Sequence, residues 1–402
     1  MTDAKTVAIV GAGIVGVSTA IWLQREGHKV ILIDREGPAA GASFGNGGVL
    51  ASCSMVPVTG PGLVRKAPGM LFDPAQPLFL RWGYLPKIAP WLLRYLRNAN
   101  AQDTKRIATA IAGLTLDSLS EHEALAKGTG AEKWIVPSDY VYLYRDRAHF
   151  EGDAFAWSIR KAHGVFWEEL EGDALRSYDD IYVPSQSFGV RMGGHGRIRD
   201  PGQYVVDLAA HIESAGGRSL RGDVTGIVKD GGRVTGGRLS GETLPCDAVV
   251  IATGAWSGPL SKSLGVPVPL ETERGYHLVL WNPSVMPKAA VMIASGKFVA
   301  TPMDGRLRLA GVVEFGGLSA PPSRAPFRLL ETAAPQAIPG LTWERKTEWM
   351  GHRPAPADSI PIIGAFPGQT GALAAFGHHH IGLTAGPQAG RLSDRIGRKP
   401  VV

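Results

Sequence analysis

The feature that most constrains what this chain can fold into is the glycine turn that begins at Gly11. An apolar strand, Thr6 to Val10, runs into Gly11, Gly13 and Gly16 (GAGIVG). A helical stretch follows to about Glu26, then a second strand, Val30 to Ile33, closed by Asp34. The glycines allow a tight turn and let backbone N–H groups at a helix start meet a pyrophosphate. Asp34 stands eighteen residues after Gly16, close to the ~20 expected of the carboxylate that takes a ribose diol, and its charge would repel a ribose 2′-phosphate. A glycine turn alone also occurs in α/β folds that bind no nucleotide. Strand, turn, helix and acid in this order point to a dinucleotide, FAD or NAD, and the shared ADP half leaves the choice between them open. No second GxGxxG follows a strand, so no separate nicotinamide domain is expected. Any flavin must then be reduced directly by the organic substrate.

At 402 residues the chain exceeds what one hydrophobic core usually supports, which favours two lobes. Hydrophobic residues at 44% against 19% charged give a globular composition. The net charge of +6, from 42 basic and 36 acidic residues, is too balanced for a nucleic-acid footprint, and no nucleic-acid partner is expected. An anionic cofactor, substrate or membrane surface suffices to explain it. Cys53 and Cys246 are the only cysteines, so no disulfide framework is expected and cytoplasmic residence is the default. The opening MTDAKTVAIV reads as a strand, since it lacks the basic leader and cleavage site of a signal peptide. No apolar run approaches the roughly 18–20 residues of a membrane-spanning helix.

Further along, residues 37 to 69 are rich in Gly, Pro, Ser and Ala and read as loops. The stretch FLRWGYLPKIAPWLLRYLR, Phe79 to Arg97, reads as an amphipathic helical pair broken at Pro86 and Pro90. It is either a helical subdomain packed on the core or an element lying on the inner membrane surface. Helices continue to about Ala126, strand-like runs fill Trp134 to Arg199, and a helix follows from Pro201 to Ser214. Hairpins joined by Asp-Gly and Gly-Gly turns lead back to a buried strand, Ala248 to Ala252. Strands dominate residues 270 to 315, and a strand, loop and helix follow Asp358. The expected fold class is α/β (α+β, two-lobed). A Rossmann-type lobe of residues 1–130, 200–260 and 350–402 is interleaved with a mixed-sheet substrate lobe of residues 131–199 and 261–349.

Five motifs in order carry a more specific signal: GAGIVG, GASFGNGG (41 to 48), VVIATGAWS (249 to 257), HRPAPADSIPIIG (352 to 364) and GHHHIGLTAGP (377 to 387). Together they resemble the FAD-dependent D-amino-acid oxidoreductase family over nearly the whole chain, and its glycine oxidase and D-amino-acid dehydrogenase branch most. The resemblance implies an FAD site formed by Gly11, Gly13, Ile14, Val15, Gly16, Asp34 and Arg35. It implies that Ala42, Ser43, Asn46, Gly47 and Gly48 wrap the pyrophosphate and isoalloxazine, that the Val224 backbone holds the adenine, and that Gly254 passes close beside the dinucleotide. Backbone groups of His379, His380, Ile381, Gly382, Leu383 and Thr384 would follow the flavin pyrimidine edge, near a helix N-terminus. Many relatives carry glycine where His379 stands. No cysteine lies in the late glycine-rich motif, so FAD is expected to be non-covalent.

For chemistry, the resemblance assigns Arg353 to the substrate carboxylate, a role its guanidinium fork suits by bidentate hydrogen bonding. Tyr276 and His277 stand where relatives place substrate-facing groups, and either reads equally as an ordinary strand residue. The implied reaction moves a hydride from the α-carbon of a small amino or imino acid to the flavin, giving an imine that water hydrolyses to the oxo acid. The electrons would pass to quinone, another carrier or O2. Two alternatives stand beside it. One is oxidation of a 2-hydroxy acid, which needs a base such as His277. The other is a flavin-bearing binding protein without turnover. His378, His379 and His380 are consecutive and so diverge in direction, and no metal site is expected from them.

Overall fold

The structure is a computed structural model that describes residues 4–65, 69, 78–182 and 185–393. Strand β1 (Thr6–Val10) and strand β2 (Lys29–Asp34) flank the helix Ile14–Arg25. Both strands are almost wholly apolar and buried, as strands of a parallel sheet covered on both faces must be. Beyond them, β3 (Val49–Leu50) and β4 (Leu78–Leu80) are short. β5 (Ile135–Tyr144), β6 (Glu168–Glu171) and β7 (Phe188–Ile198) alternate with helices. The helix Pro201–Ser214 leads to β8 (Arg218–Arg221). The hairpin strands β9 (Val224–Asp230), β10 (Arg233–Leu239) and β11 (Glu242–Pro245) follow, then β12 (Ala248–Ile251). β13 (Leu270–Trp281), β14 (Ala290–Ile293), β15 (Phe298–Met303) and β16 (Arg306–Phe315) precede β17 (Arg345–Pro356), β18 (Ile362–Ala365) and β19 (Ala372–Phe376).

These strands make three sheets. The first has six strands in the order β18-β19-β12-β1-β2-β8, with Val7 paired in parallel register to both Val30 and Ala248. Helices Ile14–Arg25, Pro201–Ser214 and Gly382–Ser393 cover one face, where Ile9, Leu32 and Val250 meet Val17, Leu208 and Leu383. The small sheet β11-β10-β9 covers the other, where Val224, Val234 and Cys246 meet Ile31 and Ile251. The third sheet has ten strands along β17-β13-β16-β15-β14-β5-β7-β3, with β4 added to β16 and β6 to β7. One of its faces packs on the helix Ala325–Ala337 through Tyr276, Leu278, Phe327 and Leu330.

The fold is the expected mixed α/β architecture with a parallel dinucleotide-type sheet, but the lobes share strands across the expected borders. The cut at residue 350 falls inside β17, a strand paired along its length with β13. β3 and β4, drawn from the first 130 residues, pair with β7 and β16. Sequence spacing cannot reveal such borrowing, because a two- or three-residue strand carries no periodicity of its own. Nor is Phe79 to Arg97 a helical pair: it is β4, a short turn, and one helix, Leu85–Arg97. Pro86 occupies the first helical turn, where no N–H partner is lost, and the helix continues through Pro90. Burial of Ile88, Trp91 and Tyr95 against Phe315 and Ala355 outweighs the local proline penalty. Among the described residues no helix is long and apolar enough to cross a membrane.

Candidate active site

A cavity of about 1430 Å³ runs from the carboxyl ends of β1 and β2 to the open face of the ten-stranded sheet over β13 and β17. Ligands of open α/β sheets bind at carboxyl strand ends. Its lining includes Gly11, Gly13, Ile14, Val15, Asp34, Arg35, Ala42, Ser43, Asn46, Gly47, Val224, Gly254, His379 to Thr384, and Arg353. Gly16, Gly48 and His277 are absent from it.

At the first end, the helix Ile14–Arg25 opens with Gly13 at its N-cap and no acidic residue in its first turn. Ser43 Oγ accepts the Ile14 N–H at 2.9 Å, which leaves the Val15 and Gly16 N–H groups as the orphan donors of the helix start. Gly11 has φ +108°, and a Cβ on it would lie 2.4 Å from the Ala252 carbonyl oxygen. Gly16 is glycine for packing: a Cβ there would lie 1.9 Å from the Gly11 carbonyl oxygen. Asp34 accepts the N–H groups of Ala12, Glu36 and Gly37 at 2.9–3.0 Å. It therefore pins the glycine turn as well as facing the cavity, and a carboxylate has about four lone-pair sites, so one remains. Arg35 lies over the Trp256 ring, 4.2 Å from its centroid, and both border the cavity.

The loop 42–48 is held down on the sheet. Arg308 Nη1 donates to the carbonyls of Asn46 (2.6 Å) and Phe44 (3.2 Å), and burial together with Arg306 lowers its pKa to about 10. His277 Nδ1 meets the Gly45 carbonyl at 3.0 Å and its ring stacks on Trp349 at 5.0 Å. Burial, then Arg308, pushes its pKa to about 3, so His277 is a neutral donor to this loop. Asn46 Oδ1 accepts the Gly48 N–H at 2.8 Å. Gly48 itself, at φ +77°, approaches the Ile198 carbonyl of β7, which its Cβ would meet at 2.9 Å. Gly48 and His277, expected at the cofactor and the substrate, thus serve packing and loop positioning, while Gly16 packs against the turn and keeps its N–H at the helix start.

At the other end, Arg353 projects from β17 and its guanidinium lies flat over Gly275, whose Cβ would stand 2.6 Å from Nε. Among the described residues it has no hydrogen-bond or salt-bridge partner. Burial lowers its pKa and the nearby Glu273 raises it. Glu273 is the cross-strand partner of Arg353, buried at 5% exposure, with Oε2 at 2.6 Å from His379 Nε2. Burial drives the Glu273 carboxyl upward, but His379, Arg353 and His380 outweigh it and hold it below the usual range. His379 has φ +49°, a conformation glycine adopts without strain, and its N–H docks on the Pro354 carbonyl of β17 at 2.8 Å. Burial lowers the pKa of His380 to about 3 and of His378 to about 4. Among the described residues no cluster of His, Cys, Asp and Glu is arranged to hold a metal.

The Tyr276 side chain does not join this group. Side chains alternate along β13, so Tyr276 leaves the sheet on the face opposite Gly275 and Arg353. There it packs on Phe327 at 5.0 Å and donates its hydroxyl proton to Glu314 at 2.6 Å. The residue expected to face the substrate borders the cavity, but its ring and hydroxyl are packed in the core.

The chain matches the family model described as FAD dependent oxidoreductase over residues 6–395. The chain belongs to that family of FAD-dependent oxidoreductases. Among its relatives, a D-amino-acid oxidase of Bradyrhizobium diazoefficiens is 38% identical, covering 100% of this chain and 97% of its own. A D-amino acid dehydrogenase of Allorhizobium ampelinum is 30% identical, covering 97% and 94%. Glycine oxidase from Bacillus cereus shares the fold with TM-score 0.72 at 20% identity, covering 97% of this chain and 94% of that one. In this FAD-dependent oxidoreductase the N–H groups of Val15 and Gly16, at a helix start free of acids, would hold the pyrophosphate, and Asp34 would take the ribose. Gly254, at φ +56°, borders the cavity with nothing within 4 Å of where its Cβ would be, so the backbone can lie against the dinucleotide.

Sequence reasoning missed Glu273, Arg308, Trp256 and Tyr95. Glu273 and Arg308 had a signal available, a charged residue inside strands otherwise buried along their length (LETERGYHLVL and RLRLAGVVEF). Such a charge needs a partner or a ligand. Trp256 lay inside VVIATGAWS, where only Gly254 had a role, and Tyr95 inside the amphipathic stretch Phe79 to Arg97.

Proposed function

We propose that the protein oxidises a small α-amino acid of D configuration at its α-carbon. The observation that carries this reading is Arg353, a guanidinium facing the cavity without a protein partner among the described residues, which suits a substrate carboxylate. The names of the full-length relatives, D-amino-acid oxidase and D-amino acid dehydrogenase, support the amine over the hydroxyl substrate. So does His277, whose hydrogen bond to Gly45 and low pKa leave it no role as a base at a carbinol. When bound, FAD supplies the two-electron acceptor for the α-hydride. The protein's part is to hold the carboxylate on Arg353, exclude water with Tyr95, Ile88 and Leu92 of the helix Leu85–Arg97, and keep the loop 42–48 in place through Arg308 and His277. Fixing both reactants in one orientation is where such a site gains rate. Water then hydrolyses the imine to the oxo acid and ammonia.

For the return of electrons we propose a quinone reached at the cavity mouth, at a membrane surface. Val58, a lining residue, is 57% exposed, and Trp82 and Leu93 of the apolar and basic segment Phe79 to Arg97 are 53% and 64% exposed, as suits contact with an anionic bilayer. The test is anaerobic mixing of the yellow holoenzyme with D- and L-amino acids, proline, N-methylglycine and 2-hydroxy acids, followed by its visible flavin absorbance. Bleaching by D-amino acids is expected. Bleaching by hydroxy acids alone, or by nothing, overturns the reading. Reoxidation faster with a short-chain quinone than with dissolved O2 is expected of the second half-reaction, and the reverse order overturns that part.

A further inference from the structure

Four strands side by side put a row of unlike side chains on the cavity face of the large sheet. Arg353 on β17 is in register with Glu273 on β13, Glu273 with Phe315 on β16, and Phe315 with Leu80 on β4. All four line the cavity. Register partners project from the same face of a sheet about 4.8 Å apart, so the order read across the sheet is cation, anion, apolar, apolar. An α-amino acid carries its carboxylate, amino group and side chain on one carbon.

We propose that Glu273 accepts the substrate's amino group beside the arginine that takes its carboxylate, and that Phe315 and Leu80 receive an apolar side chain. This deepens the proposed function and rests on it. A carboxylate buried this far is costly unless compensated, and placing one beside the carboxylate clamp would repel a ligand that brought only negative charge. Glu273 is therefore a selector: it favours zwitterions over simple carboxylates at the same arginine. His379 touches it at 2.6 Å, Arg353 and His380 act on its charge, and Tyr95 lies within its field. None of these is an anion competing for the amino group.

The test uses the holoenzyme and two ligands, D-alanine and propanoate, which differ only in the amino group. In Glu273→Gln the KM for D-alanine rises at least about tenfold, the loss expected of a hydrogen bond to a charged group. The Kd of propanoate, read from perturbation of the flavin spectrum, stays the same or falls, because a negative charge beside the carboxylate has gone. Glu273→Asp, which keeps the charge on a shorter arm, lies between Gln and wild type in its KM. Equal weakening of both ligands marks a structural role and overturns the inference, as does an unchanged KM. A larger loss for D-arginine than for D-alanine overturns it too, since the anion would then be reading a side-chain cation. If no amino acid reduces the unmodified holoenzyme, the proposed function itself fails, a result distinguishable because it is read before any variant.

Discussion

Gly275 and Arg353 explain each other. The guanidinium lies where a Cβ on residue 275 would have to be, 2.6 Å from Nε, so any larger residue would push the guanidinium off the sheet. Replacing Arg353 by alanine removes charge-assisted hydrogen bonds worth about 1.5–3 kcal/mol. The substrate concentration for half-maximal flavin reduction is expected to rise roughly ten- to a hundredfold, at one decade per 1.4 kcal/mol, with FAD content unchanged. Arg353→Lys should recover little, since an ammonium lacks the planar fork. A KM equal to wild type in the alanine variant would remove Arg353 from the site. Arg353 was legible in the sequence because HRP sits in a motif. Glu273 stood out only as a charge in an apolar strand; its role was not legible, because nothing in ETERGY says which strand lies alongside it.

Among elements, the strand–turn–helix at the N-terminus carries the tightest tolerance. The helix Ile14–Arg25 comes so close to the turn that a Cβ on Gly16 would lie 1.9 Å from the Gly11 carbonyl oxygen. Backbone cannot rotate out of the way as a side chain can, so Gly16→Ala must displace either the turn or the helix. The expected outcome is a purified protein with a markedly lower ratio of flavin to protein absorbance, and an unchanged ratio would show that the turn tolerates the shift. The helix Leu85–Arg97 gives the opposite lesson. Its prolines argued locally for a break, yet contacts of Trp91 with Tyr95 and Phe315 at 4.7 and 5.7 Å keep it whole. Most helical stability in proteins comes from tertiary packing of one face, which the sequence of the helix alone does not contain.

In the molecule as a whole, the cavity lies between the six-stranded and ten-stranded sheets, so a bound dinucleotide would touch both and bind only the folded chain. A ligand of that kind stabilises by mass action, about 2.7 kcal/mol when its free concentration is a hundred times Kd. Removing FAD should lower the melting temperature and adding it back should restore it, followed by near-ultraviolet circular dichroism. Equal melting of the two forms would mean that the cofactor does not bridge the lobes. At this scale the sequence by itself determined the parallel βαβ unit, the dinucleotide turn and Asp34, because these depend on residues close along the chain and on glycine geometry. It also marked Arg353, through motif order, as the residue proposed for the substrate carboxylate. Only the tertiary structure decided that β3, β4 and β17 join the large sheet, that Tyr276 faces the core while Glu273 faces the cavity, and that His277 and Arg308 hold a loop. Those outcomes depend on register and on which strands become neighbours, and a slip of one residue would exchange every inward side chain for an outward one.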